Sequence, residues 1–435
     1  MAVHLAKGVR DILPATMRHR LEVIGRVREV FERFGFDPLD TPAIERIETL
    51  TGKYGDEGDK LLFRILARGE AGQRGEVDLA LRYDLTVPLA RVVAMNADLR
   101  LPFKRWQVAP VWRADRPQRG RFREFFQCDC DIVGTTSPLA DAECLAVFSA
   151  SLQALGFADY RLRLNDRRIL RALARAAGAG PELELTVLIV VDKLDKIGRE
   201  GVTRELQELG LAPEGIAALW RILDIPAGGA EALEALDAVL DDHGREGVAT
   251  LREVLPLAHA MGVPSERLVV DPTLARGLDY YTGPVFEGAL PGFSGSVGGG
   301  GRYDGLVGMF SGRDIPCVGV SLGLERLLLL LEERGEAQAG QATAEVLVTV
   351  HDADTRAWSI EIARIFREAG IRTELYLDDR KLKPQLKHAD ARGYRFVAFA
   401  GPGEQQAGQV RLKDMQSGVQ VDCTPAEAAR RIQVG

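Results

Sequence analysis

Between residues 17 and 34 the run MRHRLEVIGRVREVFERF sets Leu21, Ile24, Val27, Val30, Phe31 and Phe34 three and four positions apart, with charged residues between them. That spacing gathers the apolar side chains on one stripe and predicts an amphipathic helix ended by Gly35. FDPLDTPAIE then predicts extended chain, since the residues before Pro38 and Pro42 are driven out of helical torsions. EVDLALRYDLTVPLARVVAM reads as a strand, a turn and a helix starting near Thr86 or Pro88. FKRWQVAPVWR and RFREFFQCDCDIVG are two strand-like runs joined by the polar ADRPQRG, a hairpin with a long loop.

From about 165 to 265 the chain turns rich in Ala, Leu and Glu with helical periodicity, which predicts a helical insertion. The sheet signal returns at Leu268 and passes through PVFEG and SVGGGGRYDGL to CVGVSLGLERLLLLLEE, a strand running into a helix. RGEAQAGQATA is the best candidate linker. Beyond it EVLVTV, a helix from about 355 to 369, RTELYL, a basic helix and RFVAFA alternate strand with helix, the pattern of a small α/β unit.

At 435 residues the chain is too long for one core, so two or three domains are expected. No apolar run reaches the roughly 20 residues needed to cross a bilayer, and MAVHLAKGVRDILP lacks a signal peptide's apolar stretch. A cytoplasmic protein is expected. The five cysteines are scattered and form no C-x-x-C pair, so buried reduced thiols are expected rather than a zinc site, and no bound metal is predicted. A net charge of -7 argues against coating DNA nonspecifically, yet leaves room for a local basic stripe that binds nucleic acid.

Arg113, Asp115, Arg116, Arg119, Arg121, Arg123 and Glu124 cluster at the hairpin loop and its flanks. A solvated tip would also be charged. The alternative is that two strand-borne arginines grip phosphate oxygens, because guanidinium forks bind phosphate bidentately. ARGLDYYTGPVFEG supplies a further arginine, Arg276, and the Leu-rich helix after Cys317 another, Arg326. SVGGGGRYDGL is neither a P-loop nor a dinucleotide fingerprint; its glycines fit close approach of backbone to a flat ligand, or a bent strand.

Taken in this order, the segments resemble the class II aminoacyl-tRNA synthetases over nearly the whole chain, and among them the histidyl-tRNA synthetase family. KGVRDILP with its helix and GFDPLDTP is similar to motif 1, VWRADRPQRGRFREFFQCD to motif 2 and VGVSLGLERL to motif 3, while ARGLDYYTGPVFE and GGGGRYDGL resemble the histidine-specific segments. The resemblance implies an α+β catalytic domain, an antiparallel sheet flanked by helices, over 1–335 with the helical insertion at about 165–265 inside it. An α/β anticodon-binding domain over 343–435 would follow.

Carried over residue by residue, the resemblance gives Arg113 and Arg276 the catalytic role, at the α-phosphate and the amino-acid carboxylate. Arg121 and Arg326 fall at the outer phosphates, with Asp115 also at ATP and Phe125 stacked on adenine. Asp84, Thr86 and Gln127 fall at the α-amino group, with Leu85 among the histidine-binding residues, Asp131 and Tyr281 at the imidazole, and Tyr280 beside it. Asp115 and Asp131 stand where many members carry glutamate, and Asp279 receives no role. Arg380, Lys381, Lys383, Lys387 and Arg392 set a basic surface around one helix for tRNA. The partners implied are L-histidine, ATP with Mg²⁺ as substrate, tRNA(His) and a second copy of the chain as homodimer.

The residue chemistry agrees with that division. An ammonium wants a carboxylate and neutral acceptors, and an imidazole wants both ring nitrogens satisfied. A site of paired hydrogen bonds can discriminate by about 10⁴ to 10⁵, so no editing domain is required. Two other readings share the fold: a non-catalytic histidine-binding paralogue of the kind that regulates ATP phosphoribosyltransferase, and a synthetase for proline, threonine or glycine. The complete C-terminal unit and signature segments weigh against the first, and the pair Asp131 and Tyr281 against the second.

Overall fold

The structure is a computed structural model that describes residues 3–118, 120–275, 280–336, 342–378 and 381–434. Two compact units emerge, one of Met1–Asp11 with Arg20–Arg334 and the other of Ile12–His19 with Gly335–Gly435. Part of the candidate linker, 337–341, lies outside the described residues.

The first unit is built on an eight-stranded sheet. Its strands run Asp37–Pro38, Phe103–Trp112, Glu124–Val133, Cys317–Gly323, Ser296–Arg302, Pro284–Ala289, Arg161–Asp166, Leu268–Val270 in spatial order. Only the outermost pair at each end is parallel; every other neighbour is antiparallel. A three-stranded sheet of Ile44–Arg46, Val77–Leu81 and Arg64–Leu66 precedes the helix Thr86–Met95.

One face of the large sheet is covered by the helix Pro138–Ala154. Ser137 caps it by accepting from the Leu139 N–H, with proline at the first turn. The helix is buried on most of its surface, and Phe148 presses into the sheet so closely that a Cβ on Gly288 or Gly298 would lie 2.4 or 2.9 Å from its Cζ. A Cβ on Gly300 would meet Phe286 Cε2 at 2.8 Å. Alternation along the strand turns Gly299 and Gly301 to the opposite face. Gly299 lines a cavity on that face, whereas Gly301 lies under the Tyr281 ring, 3.1 Å from where its Cβ would stand, and Gly298 and Gly300 let helix and sheet pack.

The helix Pro14–Arg33 buries Arg20, Val23, Val27, Val30 and Phe31, whereas Leu21 is 55% exposed. Ile24 and Phe34 are partly buried against the same core, so five of the six spaced apolar residues face it and Leu21 does not. A charged residue joins them because Arg20 meets Glu325 at 2.8 Å. The helices between Arg167–Ala176 and Asp242–Ala260 share one continuous hydrophobic core with the sheet, from Val23 to Leu331.

The second unit holds a five-stranded sheet in the order Thr373–Leu375, Val346–Val348, Phe396–Phe399, Val410–Asp414, Gln420–Cys423. The first three strands are parallel and the last two antiparallel, with the helices Arg356–Glu368 and Pro425–Val434 packed on the same core. Its basic helix spans Leu382–Arg392, with Lys381 at the N-cap and Arg380 outside the described residues. Lys381, Lys383, Lys387 and Arg392 are exposed, though Arg392 lies 3.8 Å from Glu374.

Candidate active site

The other face of the large sheet carries a cavity of about 690 Å³. Asp84, Thr86, Arg113, Asp115, Arg121, Phe125, Gln127, Asp131, Tyr280, Tyr281 and Arg326 all line it. Leu85 does not: it is fully buried, and its carbonyl accepts from Arg105 Nη2 at 3.1 Å, so it backs the wall instead. Arg276 and Asp279 lie outside the described residues.

One corner is built from acceptors. Asp84 precedes the helix Thr86–Met95, and its Oδ1 is occupied, accepting from the Val87 N–H and the Tyr54 hydroxyl, both at 3.0 Å. Its Oδ2 is buried without a hydrogen-bond partner among the described residues. Burial raises the Asp84 pKa, and those hydrogen bonds and Arg113 oppose the rise. Gln127 commits its amide nitrogen to Ser321 Oγ at 3.1 Å and leaves Oε1 buried and unpartnered. Leaving such groups unsatisfied costs about 1 to 3 kcal/mol each, so this corner is poised for a compact donor.

Deeper in the cavity the acids are held differently. Asp131 lies 2.7 Å from Arg105, its neighbour on the adjacent strand, and accepts from the Tyr303 hydroxyl. Gly319, opposite on the other side, makes room: a Cβ there would sit 1.9 Å from Asp131 Oδ1. Asp129, two residues back on the same face, forms no ion pair among the described residues; Gln127 Nε2 stands 3.4 Å away. Burial pushes its pKa up to about 7, with Asp131 adding to the rise and Arg105 opposing it. Tyr281 meets Tyr280 edge-on at 5.0 Å, and burial raises its phenol pKa as well.

Asp129 gives a pH-dependent expectation. Its carboxyl keeps its proton to higher pH in the folded chain than in the unfolded one, so it weakens the fold progressively as pH rises through the interval to about 7 and by a constant amount above. The full effect is at most about 4 kcal/mol. Asp129→Asn should therefore raise Tm relative to wild type, by more at pH 8 than at pH 5. An advantage that does not change with pH would exclude Asp129 as the titrating group.

The other end of the cavity is cationic. Arg113 follows the strand Phe103–Trp112 directly, and Arg121 lies in the loop before Glu124–Val133. Neither is strand-borne, which corrects the sequence expectation, but backbone pairing of Arg113 N to Arg123 O at 2.9 Å extends the hairpin ladder as far as Arg113. Arg113 lies 4.3 Å over the Tyr83 ring and 5.2 Å over Phe125, with its Nε bonded to the Tyr83 carbonyl. Arg121 and Asp115 pair with each other at 2.9 Å. Arg326, on the first turn of the helix Leu324–Glu333, donates to the Ser296 carbonyl.

Sequence reasoning missed Asp129, Ser321 and Tyr303 in the lining. Alternation in QCDCD already places Asp129 on the face of Gln127 and Asp131, so that signal was present. Arg105 and Tyr303 meet Asp131 only through strand register. Leu185, Leu188, Ile189 and Asp192 also line the cavity, brought there by the helix Glu184–Val191 of the insertion and the residue after it.

A mostly antiparallel sheet of this order, with an arginine-bearing hairpin and a terminal strand–helix facing one cavity, defines the catalytic fold of the class II aminoacyl-tRNA synthetases. Residues 8–327 match the family described as histidyl-tRNA synthetase, and 345–434 match the anticodon binding domain. The histidine--tRNA ligase of Gloeobacter violaceus is 42% identical, the alignment covering 94% of this chain and 93% of the relative. A crystal structure of histidyl-tRNA synthetase from Nostoc sp. PCC 7120 superposes with a TM-score of 0.85 at 31% identity, covering 100% of this chain and 99% of that one. The chain belongs to the histidyl-tRNA synthetase family. A structure titled ATP phosphoribosyltransferase regulatory subunit/histidyl-tRNA synthetase, from Bacillus halodurans, superposes at 0.75 with 23% identity over 92% of this chain and 98% of that one, which shows the fold alone.

Proposed function

We propose that this chain ligates L-histidine to tRNA(His) through a histidyl-adenylate, consuming ATP as its Mg²⁺ complex. The observation that carries the reading is the pair of buried, unpartnered acceptors Asp84 Oδ2 and Gln127 Oε1 in a cavity whose other end is lined by Arg113, Arg121 and Arg326. A zwitterionic amino acid fits between them, its ammonium on the acceptors and its carboxylate toward the arginines. The imidazole then lies toward Tyr281 and the acids Asp129 and Asp131. Asp131 is already neutralised by Arg105, so Asp129 is the acid left to pair with a ring N–H.

In the first step a carboxylate oxygen of histidine attacks the α-phosphorus in line, a P–O bond forms, and pyrophosphate leaves with the electrons of the bond that breaks. Arg113 and Arg276 stabilise charge gathering on the α-phosphate, which requires positioning and electrostatics and no covalent enzyme intermediate. Arg121 and Arg326 take the outer phosphates, which would draw Arg121 from Asp115, and Phe125 stacks on adenine. In the second step the terminal ribose hydroxyl of the tRNA attacks the adenylate carbonyl and AMP leaves. Lys381, Lys383 and Lys387 offer the second unit's basic surface for tRNA.

The reading extends to a cytoplasmic homodimer, supported by the motif 1-like N-terminal segment. Among the described residues no helix is long and apolar enough to cross a membrane. The test is ATP–pyrophosphate exchange with each of the twenty amino acids in turn. Exchange with histidine alone is expected; exchange with none would sink the enzymatic reading, and exchange with a different amino acid would sink the specificity.

A further inference from the structure

The segment Lys7–Arg10 precedes the first helix and does not line the cavity, yet it is tied to the phosphate end at several points. The Gly8 carbonyl accepts from the Arg123 N–H at 2.8 Å. Arg123 in turn accepts from the Arg113 N–H at 2.9 Å and sends its Nε to the Asp115 carbonyl at 3.0 Å, with Nη1 3.4 Å from the Lys7 carbonyl. Gly8, in a turn, thus hydrogen-bonds to the same residue that closes the arginine-bearing loop against Arg113.

The fit at Gly8 is close. Its φ is +86°, and a Cβ would stand 2.8 Å from both Arg123 Cγ and Pro117 Cγ. Two residues on, the Arg10 guanidinium lies 3.8 Å over the ring of Phe122, next to Arg121 in sequence, and donates to Glu325. Glu325 also pairs with the buried Arg20 at 2.8 Å, accepts from the Phe126 N–H at 3.5 Å, and immediately precedes Arg326. One short segment therefore touches the loop that carries Arg113 and Arg121 and the helix head that carries Arg326.

We propose that Lys7–Arg10 is a brace that sets the position of the phosphate-gripping arginines, with Gly8 and Arg10 as positioning residues for ATP. The proposal rests on the reading that this cavity holds ATP. Neither residue meets the acceptor corner at Asp84 and Gln127, so loosening the brace acts on one substrate and spares the other. A shift of about an ångström at the gripping groups is enough to cost ten- to a hundredfold.

The experiment is ATP–pyrophosphate exchange with the full chain as wild type, Gly8→Ala, Arg10→Ala and Arg10→Lys, together with Tm of each. Arg10→Ala should raise KM for ATP about tenfold while KM for histidine and Tm stay at wild-type values. Arg10→Lys, which retains the charge toward Glu325 but not the planar contact with Phe122, should recover part of the loss. Adding Phe122→Ala to Arg10→Ala should cost less than Phe122→Ala costs on its own, since Arg10→Ala has already removed the contact between them. The proposal is overturned if KM for ATP stays within about twofold of wild type in Arg10→Ala, or if both KM values and Tm move together. Gly8→Ala adds the backbone arm of the brace, and the Arg10 series stands without it should that variant not fold. A wild type that exchanges with no amino acid defeats the ATP reading itself, whereas wild-type exchange with an unmoved ATP KM in the variants defeats the brace alone.

Discussion

Replacing Arg113 by alanine is expected to lower kcat for ATP–pyrophosphate exchange by about 10²- to 10³-fold, the loss typical of removing one preorganised donor to a transition state. Arg113 is held from three sides, by its backbone pairing to Arg123, its Nε bond to the Tyr83 carbonyl and the faces of Tyr83 and Phe125. A guanidinium fixed in this way needs little reorganisation when charge builds on a neighbouring phosphate. Arg113→Lys should recover little, because a single ammonium cannot reproduce the fork or the flat contact with two rings. Stopped-flow or rapid-quench measurement of adenylate formation separates the step from binding, and a rate within about tenfold of wild type would remove Arg113 from the chemistry.

The second large effect is expected at Asp84. Asp84→Asn keeps an oxygen for the Val87 N–H and the Tyr54 hydroxyl, so the helix start should survive, but removes the charge and turns the free Oδ2 into a donor. An ammonium would then face an N–H in a buried site. Deleting one member of a buried charge pair costs about 2 to 5 kcal/mol, so kcat/KM for histidine should fall by at least about 30-fold. Binding of an analogue without the α-amino group, measured calorimetrically, should be nearly indifferent to the substitution. Equal losses for histidine and that analogue would show that Asp84 supports the fold of the pocket and does not read the ammonium.

Much of the site was legible because it is written in strand alternation. Phe125, Gln127, Asp129 and Asp131 share one face of Glu124–Val133, while Cys128 and Cys130 are buried on the other. What alternation does not give is the neighbour across the sheet. Asp131 looks like a free acid in one dimension, and only the pairing of Arg105 opposite Asp131 and the reach of Tyr303 make it a neutralised one. The first helix meets a related limit, since apolar spacing cannot register a buried arginine whose partner, Glu325, lies some three hundred residues further along. The insertion illustrates the same limit in another form. Its helices were evident from periodicity, but nothing in Leu185 or Ile189 distinguishes a core position from a cavity wall.

The glycine run of Ser296–Arg302 bears on how the protein survives between catalytic cycles. A strand in the middle of a sheet normally helps hold it through the side chains on both faces, and each glycine there gives up about 0.5 to 1 kcal/mol relative to alanine. Behind the strand Phe148 makes good the loss at Gly298, and in front of Gly301 the Tyr281 ring does, 3.1 Å from where a Cβ would stand; of the two front positions Gly299 lines the cavity. A ligand bound against Gly299 would supply contacts that the strand itself lacks, and its free concentration would then add to the stability of the fold by mass action.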